Sequence, residues 1–135
     1  MLYIKEQIVR DFSSYAISLI PNEACGMLVS FNDSKIIDTF IPIPNNSTNT
    51  KYEFNLEPSS FIPMLYKIDK LGGNWVGLIH SHPNSPAYPS RADIDNWHYP
   101  DLSYWIYSFK EKNLRAYYII DKIVVPQGFY TVSKS

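Results

Sequence analysis

The chain has 135 residues, 45% hydrophobic and 19% charged, with twelve Lys and Arg against thirteen Asp and Glu for a formal charge of −1. That length predicts one globular domain over residues 1–135, and the balanced charge argues against a nucleic-acid partner. A single cysteine, Cys25, excludes an internal disulfide and a zinc site built from several thiolates. The N-terminus MLYIKEQIVRDF lacks a signal-peptide apolar core and no apolar run approaches a membrane span, so the expectation is a cytoplasmic protein with no membrane partner.

Apolar side chains at Ile4, Ile8, Val9, Phe12, Tyr15, Ala16, Leu19 and Ile20 recur at helical spacing. They predict an amphipathic helix over residues 4–20, ended by Pro21 and Asn22. CGMLVSF reads as a strand, Asn32-Asp33-Ser34 as a turn and KIIDTFIPI as a second strand, together a hairpin. PNNSTNT is polar and turn-rich, hence a loop, and KYEFN fits a short strand. A second helix starts near Ser59 or Ser60, either of which could cap it, with Pro63 tolerated in its first turn. Gly72-Gly73 closes that helix. NWVGLIHSH is a nearly continuous apolar run, which predicts a central strand covered on both faces. A loop with Pro83, Pro86 and Pro89 follows, then a short helix from Ser90 that stops before Pro100. LSYWIYSF, RAYYIID and GFYTV read as three closing strands. The order α-β-β-β-α-β-α-β-β-β predicts an α+β fold, a mixed sheet with helices packed on it.

The chemistry concentrates in GLIHSHPNSPAYPSRADIDNW, residues 77–97. Residues i and i+2 of a strand share a face, so His80 and His82 present two imidazoles together from the end of a buried strand. Pro83 then turns the chain away. Ten residues separate His82 from Asp93, enough for a loop to bring the carboxylate back. Two bland readings stand beside this one. Ser90-Arg91-Ala92-Asp93 is also similar to a capping box at a helix start. An isolated His-x-His is more often a pair of hydrogen-bonded structural groups. Together, however, two imidazoles and a carboxylate are the donors zinc takes in an open tetrahedral site, with the fourth place left for water. Asp95 lies about 200° around a helix from Asp93, and His98 about 140°, so neither shares its direction. Activating a water needs a further carboxylate outside the ligand set. Eight Asp and Glu precede the His pair, and spacing selects none of them. Glu23 in PNEACG has the best context, although by itself it reads as an exposed loop carboxylate.

Glu23 in NEACGMLVS, followed by HSHPNSPAYPSRAD, resembles the JAMM (MPN+) zinc metalloprotease family, whose pattern is a Glu, then His-Ser/Thr-His-Pro, then a Ser and an Asp. Glu23, His80, Ser81, His82, Pro83, Ser90 and Asp93 fill every position, and the likeness extends over about residues 1–125. The compact chain looks like the small prokaryotic members. The resemblance implies the JAMM/MPN fold, a cytidine deaminase-like mixed β-sheet flanked by helices. It implies one Zn2+ per chain held by His80, His82 and Asp93, and Glu23 as general base and then general acid. It also implies that the Ser90 hydroxyl stabilises the oxyanion, a donor worth about 3 kcal/mol in such sites. In that role Ser90 competes with its use as a helix cap.

The implied reaction is hydrolysis of an amide or isopeptide bond after the C-terminal glycine of a ubiquitin-like or sulfur-carrier protein. No acyl-enzyme is needed, so Cys25 reads as a packed strand residue. PNNSTNTKYEF is a candidate wall for the substrate tail, or an ordinary connector. A non-catalytic MPN-like scaffold for protein association is the alternative reading. A nucleobase deaminase would need a Cys pair and a thermolysin-type protease His-Glu-x-x-His, and both are absent. A non-haem iron site could use the same two His and carboxylate, with the Glu23 and Ser90 matches then accidental.

Overall fold

The computed structural model describes residues 1–45, 47, 49–50 and 58–133. In chain order its elements are β1 (Leu2–Lys5), α1 (Glu6–Leu19), β2 (Cys25–Phe31), β3 (Ile36–Ile37), β4 (Thr39–Ile43) and α2 (Pro58–Lys70). There follow β5 (Gly73–His82), α3 (Arg91–Asn96), β6 (Ser103–Ser108), β7 (Asn113–Ile120), β8 (Ile123–Gln127) and β9 (Phe129–Val132). Six strands form a mixed sheet in the order β4-β2-β5-β6-β7-β8, and β3-β1-β9 form a smaller sheet of three.

The period of two along β2 and β5 explains why both strands read as nearly continuous apolar runs. Leu28 and Ile79 face a core built on Ile8, Phe12 and Ala16 of α1, a helical stripe that buries against Ile4 and Trp105. Cys25, Met27 and Val29 face the opposite way, onto Phe61 and Ile68 of α2. Leu78, on the α2 side of β5, packs with Tyr104, Ile106, Tyr117 and Ala87. The mixed sheet with helices on it is therefore as expected, and β5 is central, antiparallel to β2 and parallel to β6.

Several local expectations are corrected. The first helix begins at Glu6, because residues 2–5 form β1, which pairs in parallel with β9 and β3. Partners that far along the chain leave no mark on local periodicity. KIIDTFIPI breaks at Asp38, whose N–H donates to the Val29 carbonyl at 3.1 Å. Ile36–Ile37 then joins β1, while Thr39–Ile43 pairs with β2 in the expected hairpin. Helix α2 starts at Pro58, so Ser59 and Ser60 lie inside it rather than capping it. Pro63 sits in the second turn, where it costs one backbone hydrogen bond. Gly72, at φ 81°, closes α2 as expected. There are four closing strands, not three. β7 and β8 form a hairpin across Asp121 (φ 50°) and Lys122 (φ 65°), a left-handed pair that lacks the usual Asn-Gly signature. The strand expected in KYEFN lies outside the described residues, as does part of the candidate tail wall PNNSTNTKYEF.

Candidate metal centre

The C-terminal end of β5 carries His80 opposite Cys25 of β2 and Ile106 of β6. His80 and His82 are buried and project from the same face, as period two requires. Their Nε2 atoms lie 3.1 Å apart. The Nδ1 of His82 is 2.8 Å from the Pro86 carbonyl. A carbonyl only accepts, so Nδ1 carries a proton, which makes Nε2 the nitrogen available to a metal ion.

Helix α3 delivers the carboxylate. Ser90 is its N-cap: Ser90 Oγ accepts from Asp93 N at 3.1 Å, and Asp93 Oδ2 accepts from Ser90 N at 2.8 Å. This reciprocal box fixes Asp93 on the inner side of the first turn. The capping and ligand readings of Asp93 are thus compatible. Its Oδ1 lies 3.3 Å from His80 Nε2 and its Oδ2 lies 3.2 Å from His82 Nε2. The buried Tyr104 of β6 donates its hydroxyl to Oδ1 at 2.8 Å.

Glu23 is 3% exposed, which overturns the reading of it as a loop carboxylate in solvent. The chain around it is pinned on both sides. Its N–H donates to the Thr50 carbonyl at 2.6 Å and its carbonyl accepts from Asn45 Nδ2 at 3.1 Å. The next residue, Ala24, donates its N–H to Ser81 Oγ at 2.9 Å and accepts from Ser81 N at 3.0 Å. Ser81 points to the opposite face of β5 from the two histidines and so ties the Glu23 segment to the ligand strand. Ligand atoms of Glu23, His80, His82 and Asp93 all lie within 4.8 Å of one another. Asp95 instead faces Arg91 and Lys122 at the surface, and His98 is exposed.

These residues fit a metal ion. Bonds of about 2.0–2.1 Å in a tetrahedron put neighbouring donor atoms about 3.3 Å apart. The two Nε2 atoms lie 3.1 Å apart, and each has one Asp93 oxygen at a similar distance, Oδ1 at 3.3 Å from His80 and Oδ2 at 3.2 Å from His82. Electrostatics favours the same state. Burial pushes the Asp93 carboxyl upward, but the two imidazoles outweigh it and hold Asp93 well below the ordinary carboxylate value. Burial lowers His80, keeping that ring neutral. Burial also acts to lower His82, but its bonds to Asp93 and Pro86 overcome this and raise it. An ionised carboxylate facing two imidazoles is a site poised for a cation. The Cys25 thiol is pushed up to about 12, by burial first and then by the Glu23 carboxylate, and it donates weakly to the Ile43 carbonyl at 3.4 Å. It is a packed strand residue, as expected.

Sequence reasoning missed Tyr104 and gave Ser81 no work. The period of two could have flagged Ser81, a polar residue on the inner face of a central strand. Nothing local marks Tyr104, which reaches Asp93 only because β6 lies beside β5.

Residues 5–120 match the family described as prokaryotic homologs of the JAB domain. A desampylase from Haloferax volcanii is 31% identical over 88 residues, covering 65% of this chain but only 63% of the relative. A CysO-cysteine peptidase from Mycobacterium bovis is 27% identical, covering 99% of this chain and 93% of the relative. In three dimensions, a crystal structure of a JAB1/MPN domain protein from Archaeoglobus fulgidus superposes with a TM-score of 0.66 at 18% identity, over 98% of this chain and all of the other. This last likeness concerns the fold.

Proposed function

Because the chain belongs to the family of prokaryotic homologs of the JAB domain, we propose that it is a zinc peptidase acting on a ubiquitin-like or sulfur-carrier protein. It hydrolyses the amide bond after the carrier's C-terminal glycine. The observation that carries this reading is the gathering of four buried donor residues, Glu23, His80, His82 and Asp93, whose ligand atoms all lie within 4.8 Å of one another. The names of the relatives, a desampylase and a CysO-cysteine peptidase, support the substrate class.

In this reading His80, His82 and Asp93 hold the zinc. When bound, the ion supplies Lewis-acid polarisation of the carbonyl and lowers the pKa of water at the site. Glu23 accepts a proton from the attacking water, holds it in a pocket closed to solvent, and passes it to the departing amine. The water oxygen joins the carbonyl carbon, the C–N bond breaks, and the second product leaves as an amine. Ser90 donates its hydroxyl proton to the carbonyl oxygen as charge develops there. Its two roles do not exclude each other. Capping uses a lone pair of Oγ to accept Asp93 N–H, which leaves the O–H free to donate.

The test is incubation with carrier proteins extended past their terminal glycine, with and without a chelator, followed by mass spectrometry. Cleavage after the glycine is expected only with metal present. Glu23→Gln should keep the metal and lose cleavage, whereas Asp93→Ala should lose most of the metal. Wild-type turnover by Glu23→Gln would end Glu23's assignment as base. One zinc per chain with no cleavage of any carrier would favour a non-catalytic scaffold.

A further inference from the structure

Residues 83–89 lead from the strand that carries His82 to the helix cap that carries Asp93. Among the described residues no backbone–backbone hydrogen bond holds them. Pro83, Pro86 and Pro89 have no N–H to donate. Side chains hold the segment instead, and one of them is His82 itself, whose Nδ1 donates to the Pro86 carbonyl at 2.8 Å. We infer that the β6–β7 turn positions this ligand: Ser108 and Glu111 grip the segment on either side of Pro86, and the Pro86 carbonyl sets the ring of His82. Both are positioning residues that act through Pro86. Their role rests on the reading of His82 as a metal ligand.

The grip falls on two consecutive peptide planes. Ser108 Oγ donates to the Ser85 carbonyl at 2.7 Å and so restrains the Ser85–Pro86 peptide. Ala87 N donates to Glu111 Oε1 at 3.2 Å and so restrains the Pro86–Ala87 peptide. The proline ring locks φ between the two planes, which leaves ψ of Pro86 as the one soft torsion. The Pro86–Ala87 peptide is trans, so its C=O and N–H point in opposite directions, one at His82 and the other at Glu111. Holding the N–H therefore holds the carbonyl that faces the ligand.

The turn is also tied to the ligand strand directly. Ser108 stands opposite His82 in the parallel pairing of β5 with β6, and residues in register share a face of the sheet. Phe109 N donates to the His82 carbonyl at 3.1 Å and carries that pairing one residue further. Glu111 N donates to Ser108 Oγ at 3.0 Å, which closes the turn on itself. Ser108 is fully buried on the face where Tyr104 and Ile106 precede it in an apolar cluster. A hydroxyl there is costly unless it is hydrogen-bonded. It accepts from Glu111 and gives its one proton to Ser85.

The test uses the full chain and two readouts, neither of which needs turnover. Zinc affinity, measured by competition with a chromophoric chelator, should fall by about tenfold in Ser108→Ala and in Glu111→Ala. Glu111→Gln keeps an accepting oxygen and should stay within about twofold of wild type. In the metal-free, 15N-labelled chain the Nδ1 proton of His82 should exchange with water about tenfold faster in both Ala variants. Ser103→Ala is the matched control. Ser103 is buried at the far end of β6, where its Oγ donates to the Val76 carbonyl at 2.9 Å and accepts from Trp105 Nε1 at 2.8 Å. That variant should lose urea resistance much as Ser108→Ala does and leave both readouts unchanged. Unaltered zinc affinity in the two Ala variants, an Nδ1 proton whose exchange does not respond, or an equal loss of zinc affinity in Ser103→Ala would overturn the inference. A chain that takes up no zinc fails the metal-centre reading, while the exchange of the Nδ1 proton still decides whether the turn sets the ring. One that passes both readouts yet cleaves no carrier sinks the peptidase reading and leaves the positioning role standing.

Discussion

Ser81→Ala isolates the contact that holds the proposed base against the ligand strand. Ser81 and Ala24 are both buried, and the Ser81 hydroxyl accepts the Ala24 N–H at 2.9 Å. Alanine removes the acceptor and leaves that N–H without a partner in a dry site, which costs about 1–3 kcal/mol. For a chain of this size that corresponds to a fall in Tm of about 3–9 °C. The backbone bond from Ser81 N to the Ala24 carbonyl at 3.0 Å survives, so the strands stay paired while Glu23 is less tightly placed. Displacement of a catalytic group by about 1 Å can cost about 100-fold, so kcat for carrier cleavage should fall by about 10–100-fold. Metal affinity should change far less, since Ser81 touches none of the three proposed ligands. Urea unfolding, competition with a chromophoric chelator and carrier cleavage measure the three quantities separately. Unchanged stability and rate would refute the reasoning. So would a loss of metal as large as that caused by removing His80.

Tyr104→Phe removes the hydroxyl that orients Asp93 at 2.8 Å and should weaken metal binding by about 10–100-fold, read by chelator competition. The Cys25 thiol, at about 12, should resist thiol reagents at pH 8 in the folded chain and react at once in denaturant; rapid native labelling would contradict its packing. Asp93 is depressed in the fold well below its ordinary 3.8, so its contribution to stability is fully present above that value and is lost progressively as pH falls from there through the lower folded value. The metal-free chain should therefore lose urea resistance below about pH 4, and Asp93→Asn should flatten that dependence.

Most of the metal centre was legible because its parts are local. Period two put His80 and His82 on one face, and the Ser-x-x-Asp cap put Asp93 at the inner side of a helix start. Both are consequences of backbone geometry within a few residues. The fold was legible to the same extent. The amphipathic α1, the covered β5 and the Gly72 stop all follow from side-chain periodicity and backbone freedom. Where an element owed its existence to a distant partner the local pattern misled. Ile4 and Lys5 read as helix until β9 and β3 paired with β1, and residues 123–127, behind an unconventional turn, carried no strand reading.

By itself, then, the order of residues determined which side chains could act together within one strand or one helix start, since short-range sterics and hydrogen bonding allow few alternatives there. Only the tertiary structure decided that Glu23 is buried beside them. Its nearest tie to the ligand strand, Ala24 to Ser81, crosses 57 residues. Such a contact is stabilised by the collapse of the whole sheet, and no short window of sequence contains the reason for it.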